Sequence, residues 1–127
     1  MRPIPDPVRH FIEERIESVG VLEVLLLLHS QPGRSWTPAE LSRETRSERR
    51  WAEIQLEYLR MHTLLTLEGT DGERAYRYEP RRPEVHRIVD HLSEAFRSQP
   101  VNVIKLIFRQ PSAERLAALE AYRLRRR

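Results

Sequence analysis

Apolar residues in the first third of the chain recur at helical spacing and then become almost continuous. A helix is predicted from Asp6-Pro7, a typical N-cap and first-turn pair, because apolar side chains recur on one of its faces. Those apolar positions are Val8, Phe11, Ile12 and Ile16. Ser18-Val19-Gly20 predicts a break, and the sequence VLEVLLLL at 21–28 is apolar on nearly every side. Such a helix is normally buried on several sides, so we expect residues 21–28 to form the central core helix.

The stretch at 35–78 predicts a helix, a tight turn, a second helix and a hairpin. Thr37, Pro38 and Glu40 match a capping box, in which the Thr hydroxyl and the Glu carboxylate each bind a backbone N–H at the helix start. Trp36, just before this box, is expected to pack on the first turns of the helix as a hydrophobic staple. Stacking on a ligand is the alternative for that ring.

Turn residues then separate two helices and two strands. The first helix is predicted to end near Thr45, and Ser47 is the expected N-cap of the second helix, which runs to about His62. Strands are predicted at 64–68 and 74–78, because the Gly-containing sequence at 69–72 is typical of a turn. The hairpin at about 65–78 is the only sheet that the pattern predicts.

This order of elements resembles the winged helix-turn-helix of bacterial transcriptional regulators of the MarR and ArsR types. The residues that carry the resemblance are TPAELSRET at 37–45, the stripe Ala52, Leu56 and Leu59, and the Leu64-Leu65 pair before the hairpin. It implies an α+β fold that is mostly helical: a winged helix-turn-helix with a two-stranded wing and a C-terminal helical extension. It also implies sequence-specific binding to double-stranded DNA.

In such a fold the outer face of the second helix enters the major groove, and the hairpin contacts the flanking backbone. Arginine suits phosphate and guanine, glutamate can accept from cytosine N4, and isoleucine can meet a thymine methyl. The candidate DNA contacts are Arg46, Ser47, Arg49, Arg50, Glu53, Ile54, Arg74 and Arg77. A solvated network of Arg and Glu residues three or four positions apart is the alternative interpretation of the helix.

The last third of the chain predicts three more helical segments, at 84–97, 101–109 and 112–124. Their apolar stripes exceed what one small core needs, so we expect a homodimer built from the first helix and these C-terminal helices. The length of 127 residues predicts a single domain over 1–127, with the winged core at 8–80 and the extension at 84–124.

Composition narrows the class of protein. With no cysteine, the chain has neither a disulfide framework nor a thiolate metal site, and no apolar stretch reaches the ~20 residues of a membrane span. We find no secretory leader, which predicts a cytoplasmic protein. The five histidines lack zinc-helix spacing, and no phosphate loop or nucleophile elbow is present. We therefore expect no enzyme activity, no metal and no cofactor.

Charge is distributed unevenly, and this matters for function. Residues 34–79 hold eight basic and nine acidic side chains, whereas residues 80–127 hold 11 basic and 5 acidic ones. A DNA-binding protein usually concentrates positive charge on its reading surface. The acidic balance of 34–79 and the apolar Ile54 and Met61 therefore favour an alternative function, a winged-helix protein–protein interaction module that does not bind DNA.

Overall fold

The structure, a computed structural model, describes residues 3–69 and 72–109. Six helices occur there: α1 (Asp6–Arg15), α2 (Val19–Ser30), α3 (Pro38–Thr45), α4 (Arg49–Met61), α5 (Pro83–Ser98) and α6 (Pro100–Phe108). Three strands accompany them: β1 (Ser35–Trp36), β2 (Leu65–Glu68) and β3 (Ala75–Tyr78). The fold is mostly helical with a small antiparallel sheet, in agreement with the predicted α+β class.

The predicted break between the first two helices is confirmed. The Ser18 hydroxyl caps α2 by accepting a hydrogen bond from the Val21 backbone N–H at 3.1 Å. Asp6 was expected to be the N-cap of α1, but the helix begins one residue earlier, and Asp6 lies in its first turn. A carboxylate there still opposes the positive end of the helix dipole.

Helix α2 is the centre of the core, as its apolar sequence predicts. Five of its side chains are fully buried: Val21, Leu22, Val24, Leu25 and Leu28. Buried side chains from every helix and strand form one continuous cluster around them. At its C-terminal end, His29 Nε2 lies 2.6 Å from Asp90 Oδ1, which joins α2 to α5.

The sheet has three strands in the order β1–β3–β2, all antiparallel. The predicted hairpin is present, with Leu65 opposite Tyr78 and Glu68 opposite Ala75. Strand β1 was not predicted. It is only two residues long, and Trp36 pairs with the distant Tyr76, so no local alternation of polar and apolar residues indicates a strand.

The capping box of α3 is confirmed by both of its hydrogen bonds. The Glu40 backbone N–H donates to Thr37 Oγ1 at 3.2 Å, and the Thr37 backbone N–H donates to Glu40 Oε1 at 3.2 Å. The Thr37 backbone N–H and the Thr37 hydroxyl both donate to the Glu40 carboxylate, and these two bonds hold the pKa of Glu40 below its usual value. The helix therefore starts at a fixed point directly after β1.

The sequence predicts Ser47 as the N-cap of α4, but this prediction is wrong. Glu48 occupies the N-cap position, and its side chain makes no capping hydrogen bond. The reason lies in the turn, where Arg46 adopts the left-handed conformation at φ 53°. This turn directs the Ser47 backbone N–H to the Ser42 carbonyl at 2.9 Å and the Ser47 hydroxyl to the Thr45 hydroxyl at 2.7 Å.

Helices α5 and α6 follow the sheet and pack against α1. Both agree closely with the predicted segments 84–97 and 101–109. The third predicted segment, 112–124, lies outside the described residues. Among the helices that the structure describes, the longest has 16 residues, and none combines the length and apolarity that a membrane crossing requires.

Candidate nucleic-acid interface

Helix α4 is held firmly on one side and open on the other. Its buried stripe of Ala52, Leu56 and Leu59 is fully covered by the core. On one flank, the Tyr58 hydroxyl donates to the Arg15 carbonyl at 2.7 Å. Near its start, the Trp51 ring lies so close to Gly20 that a Cβ added there would be 2.9 Å from ring carbon Cζ2.

The open side of α4 and the β2–β3 hairpin enclose a groove of about 580 Å³, which we call the α4–hairpin groove. From α4 it receives Arg49, Arg50, Glu53, Ile54 and Glu57. From the hairpin side it receives Glu73, Arg74 and Tyr76. The groove therefore brings together side chains that are about 20 positions apart in the sequence.

Glu57 forms the polar base of this groove. Its carboxylate accepts hydrogen bonds from Arg60 Nε at 3.0 Å and from the Tyr76 hydroxyl at 2.8 Å. The Arg60 hydrogen bonds keep the pKa of Glu57 below its usual value, while burial and the bond to Glu57 raise the pKa of Tyr76. Glu57 is thus a charged residue that ties α4 to β3, and Arg60 compensates its charge.

The arginines around the groove differ in their pairing. Arg49 Nε lies 3.4 Å from Glu53 Oε1, one helical turn away. By contrast, no carboxylate of the described residues lies within 4.0 Å of the side chains of Arg46, Arg50 or Arg74. All three of these side chains are exposed: Arg46 lies in the turn before α4, Arg50 in the first turn of α4, and Arg74 directly before β3.

Arg77 lies elsewhere. Alternation along β3 buries Tyr76 and Tyr78 and turns Arg77 to the opposite face of the sheet. There its Nη2 lies 3.0 Å from Glu68 Oε1 and 2.7 Å from Glu79 Oε2. The structure thus pairs Arg77 with two carboxylates, away from the α4–hairpin groove.

The eight sequence-predicted contacts therefore divide into three groups. Five line the groove: Arg49, Arg50, Glu53, Ile54 and Arg74. Arg46 and Ser47 lie in the turn before α4, and Arg77 lies outside. The sequence does not indicate that Tyr76 reaches the groove, because alternation along the strand places its ring with Tyr78 on the face toward the core.

No group of three or more His, Cys, Asp or Glu side chains within residues 3–69 and 72–109 is arranged to hold a metal ion. Comparisons of the chain with models of protein families, with curated proteins and with solved structures found no match.

Proposed function

We propose that the chain is a winged helix-turn-helix protein that binds double-stranded DNA and regulates transcription. In this proposal α3 and α4 form the helix-turn-helix, and the β2–β3 hairpin is the wing. Helix α4 enters the major groove, with Ile54 facing base edges and Arg50 contacting a phosphate at the margin of the groove. The Arg46 turn and the Arg74 hairpin hold the phosphates on either side.

One observation carries this proposal: Arg46, Arg50 and Arg74 are exposed and lack a described carboxylate partner, although carboxylates are abundant nearby. An arginine that is exposed and has no carboxylate partner is available to a phosphate oxygen, and phosphate contacts supply most of the affinity for DNA. The three side chains come from three successive parts of the motif, the turn, the helix and the hairpin, as a docked duplex requires.

The carboxylates of the groove limit the affinity for DNA, because Glu53 pairs with Arg49 and leaves fewer arginines available to phosphates. With three available arginines at about 0.9 log units each, log affinity should fall against log salt with a slope near −2.7 per protomer. Proteins that contact six to ten phosphates have much steeper slopes. We therefore expect binding that is weak on random DNA and dependent on base contacts for its strength.

The test is fluorescence anisotropy with a mixed-sequence duplex at about 50 to 200 mM salt. Arg46→Gly, Arg50→Gln and Arg74→Gln should each weaken binding and flatten the slope by about one unit. Glycine is the cleaner replacement at Arg46, because that position has a positive φ, which an alanine would leave strained.

Arg87→Gln, an exposed position on α5, is the matched control and should leave the slope unchanged. A wild-type chain that binds no duplex even at about 50 mM salt would overturn the proposal. So would variants at the three positions that behave as the control does.

A second function is favoured by the apolar stripe along the outer side of α4. Ile54 and Met61 are 55% and 72% exposed, whereas Trp51 and Tyr58, which complete the 3–4–3 spacing of a helix–helix seam, are partly buried against the core. Such a seam suits an amphipathic helix of a protein partner. A chain that binds no duplex, even after Glu53 and Glu73 are both replaced by Gln, would favour this function.

The homodimer remains part of the proposal. Val101 and Phe108 are each more than 60% exposed on one flank of α6, so this helix presents apolar surface to solvent. Burying this flank, together with α1, against a second copy should hide at least ~1,000 Å² in total. Sedimentation at high micromolar concentration tests it, and a strictly monomeric mass would rule it out.

A further inference from the structure

A second concave site lies where the start of α1 meets α6. It has a volume of about 370 Å³, and we call it the α1–α6 cleft. Its walls include Pro3 and Ile4 from the N-terminal lead, Arg9 from α1, and Lys105, Leu106 and Arg109 from α6. It shares no lining residue with the α4–hairpin groove.

All the charged side chains that line this cleft are positive. Lys105 in the last turn of α6 and Arg109 directly after the helix lie four positions apart, so they bring two positive charges to the same side of the cleft. No carboxylate of the described residues lies within 4.0 Å of either. Among the described residues, the one carboxylate that reaches Arg9 is that of Asp6, 4.0 Å away and 80% exposed to solvent.

The floor of the cleft is apolar. Ile4 is 8% exposed, and Leu106 packs partly buried against the core. At one side Asn102 Nδ2 donates to Gln99 Oε1 at 2.9 Å, so that two amides add polar atoms beside the cations. The cleft therefore offers positive charge at its rim and apolar surface at its base.

We infer that the α1–α6 cleft binds a small organic anion with a carboxylate or phosphate head and a short apolar body. The arginine fork and the lysine ammonium are the side chains that best bind such heads. The apolar body covers Ile4 and Leu106, which a free inorganic anion would leave in contact with water. The volume lies at the lower end of the range for small-molecule sites, which limits the ligand to a short chain.

This site is compatible with the proposed dimer. At 100° per residue, Asn102, Leu106 and Arg109 share one flank of α6 and Val101 and Phe108 share another, with Lys105 between the two flanks. The inference rests on neither DNA binding nor dimerisation, because it uses only the charges and the floor of the cleft.

The experiment is calorimetric titration of the full chain with four probes: hexyl phosphate, hexanoate, inorganic phosphate and hexanol. We expect saturable binding, with one site per chain, of at least one of the two amphiphilic anions. Inorganic phosphate should bind at least tenfold more weakly, because it leaves the floor uncovered, and hexanol should not bind. The two amphiphiles also distinguish a phosphate-specific site from a carboxylate site.

The Lys105→Gln/Arg109→Gln variant should lose at least tenfold in affinity, as should Arg9→Gln. The charge-matched control Arg82→Gln/Arg87→Gln, exposed near the start of α5, should bind as wild type does. All variants should melt at the wild-type temperature, since the replaced side chains are exposed. Absence of binding by both amphiphiles at millimolar concentration, or equal losses in the variants and the control, would overturn the inference.

Discussion

The α4–hairpin groove and the α1–α6 cleft are each lined by three cationic side chains, but they differ in what faces those cations. In the groove, three carboxylates stand among the arginines: Glu53, Glu57 and Glu73. In the cleft no lining residue is acidic. The same number of positive charges therefore gives two different surfaces: the described lining of the groove is balanced in charge, whereas that of the cleft is purely positive.

This difference shows that the net charge of a segment is a poor guide to binding. Residues 34–79 contain one more acidic than basic side chain, which argues against DNA. Yet Glu57 is held by Arg60 and Tyr76, and Glu68 and Glu79 by Arg77. These carboxylates are therefore paired with Arg60 and Arg77 and do not form salt bridges with Arg46, Arg50 or Arg74.

The largest expected effect comes from Gly20→Ala, which disturbs the groove without touching the cleft. The new Cβ would meet the Trp51 ring at 2.9 Å and push the start of α4, where Arg49 and Arg50 lie. Overpacking of this kind costs more than the helix propensity that alanine adds, so the free energy of unfolding should fall by about 1–2 kcal/mol. Urea denaturation measures this change.

The same variant should bind duplex DNA more weakly while its affinity for hexyl phosphate stays at the wild-type level. Gly33→Ala is the matched control and should be neutral, because a Cβ at that position would have no atom within 4 Å. If Gly20→Ala weakened both sites equally, the groove and the cleft could not be treated as independent.

A middle-sized effect is expected from Glu53→Gln/Glu73→Gln, which makes the groove resemble the cleft. Removal of both carboxylates should raise affinity for mixed-sequence duplex about three- to tenfold, and release of Arg49 from Glu53 should steepen the salt slope by about 0.9. Anisotropy over the salt series measures both. Glu23→Gln, exposed on α2, is the control, and an equal gain there would show a non-specific charge effect.

The smallest effect concerns His62, at the end of α4. Burial and the nearby Arg15 lower the pKa of His62 from its usual 6.5, so the unfolded chain binds a proton there more readily than the folded one. The free energy of unfolding should therefore decrease as the pH falls below 6.5. His62→Gln should reduce this decrease, as measured by urea denaturation between about pH 5 and 8.

His91→Gln, exposed on α5, should leave the acid-side decrease in place. An identical pH dependence in wild type and His62→Gln would show that protonation of this side chain is not linked to the packing of α4.

Much of the fold was predictable because its signals are local. The capping box needs only Thr37 and Glu40, and the core helix needs only its own apolar sequence. Strand β1 was missed because its two residues become a strand only through pairing with β3. The N-cap of α4 was misplaced because a positive φ at Arg46, a residue with no special preference for it, cannot be inferred from residue type.

The candidate site was less predictable, for a related reason. The outward residues of α4 follow from helical periodicity, so Arg50 and Ile54 were identified. Which arginines have carboxylate partners depends on rotamers and on contacts across the sheet, and Arg77 illustrates this. The cleft has no sequence signature, because Arg9 and Arg109 are brought together only when α6 packs against α1.

The pairing of β1 with β3 has a consequence for how this chain can change. Ser35 lies opposite Arg77, so the two ends of the segment 35–78 lie next to each other. A segment with adjacent ends can be exchanged between scaffolds through one attachment point, as in domain insertion. Residues 35–78 thus have the topology of an inserted segment whose two ends are held together by two residue pairs, one strand pairing with the other. Any replacement would have to supply the buried side chains that this segment contributes to the core around α2, which are Trp36, Leu41, Ala52, Leu56, Leu59, Leu64, Leu65, Tyr76 and Tyr78.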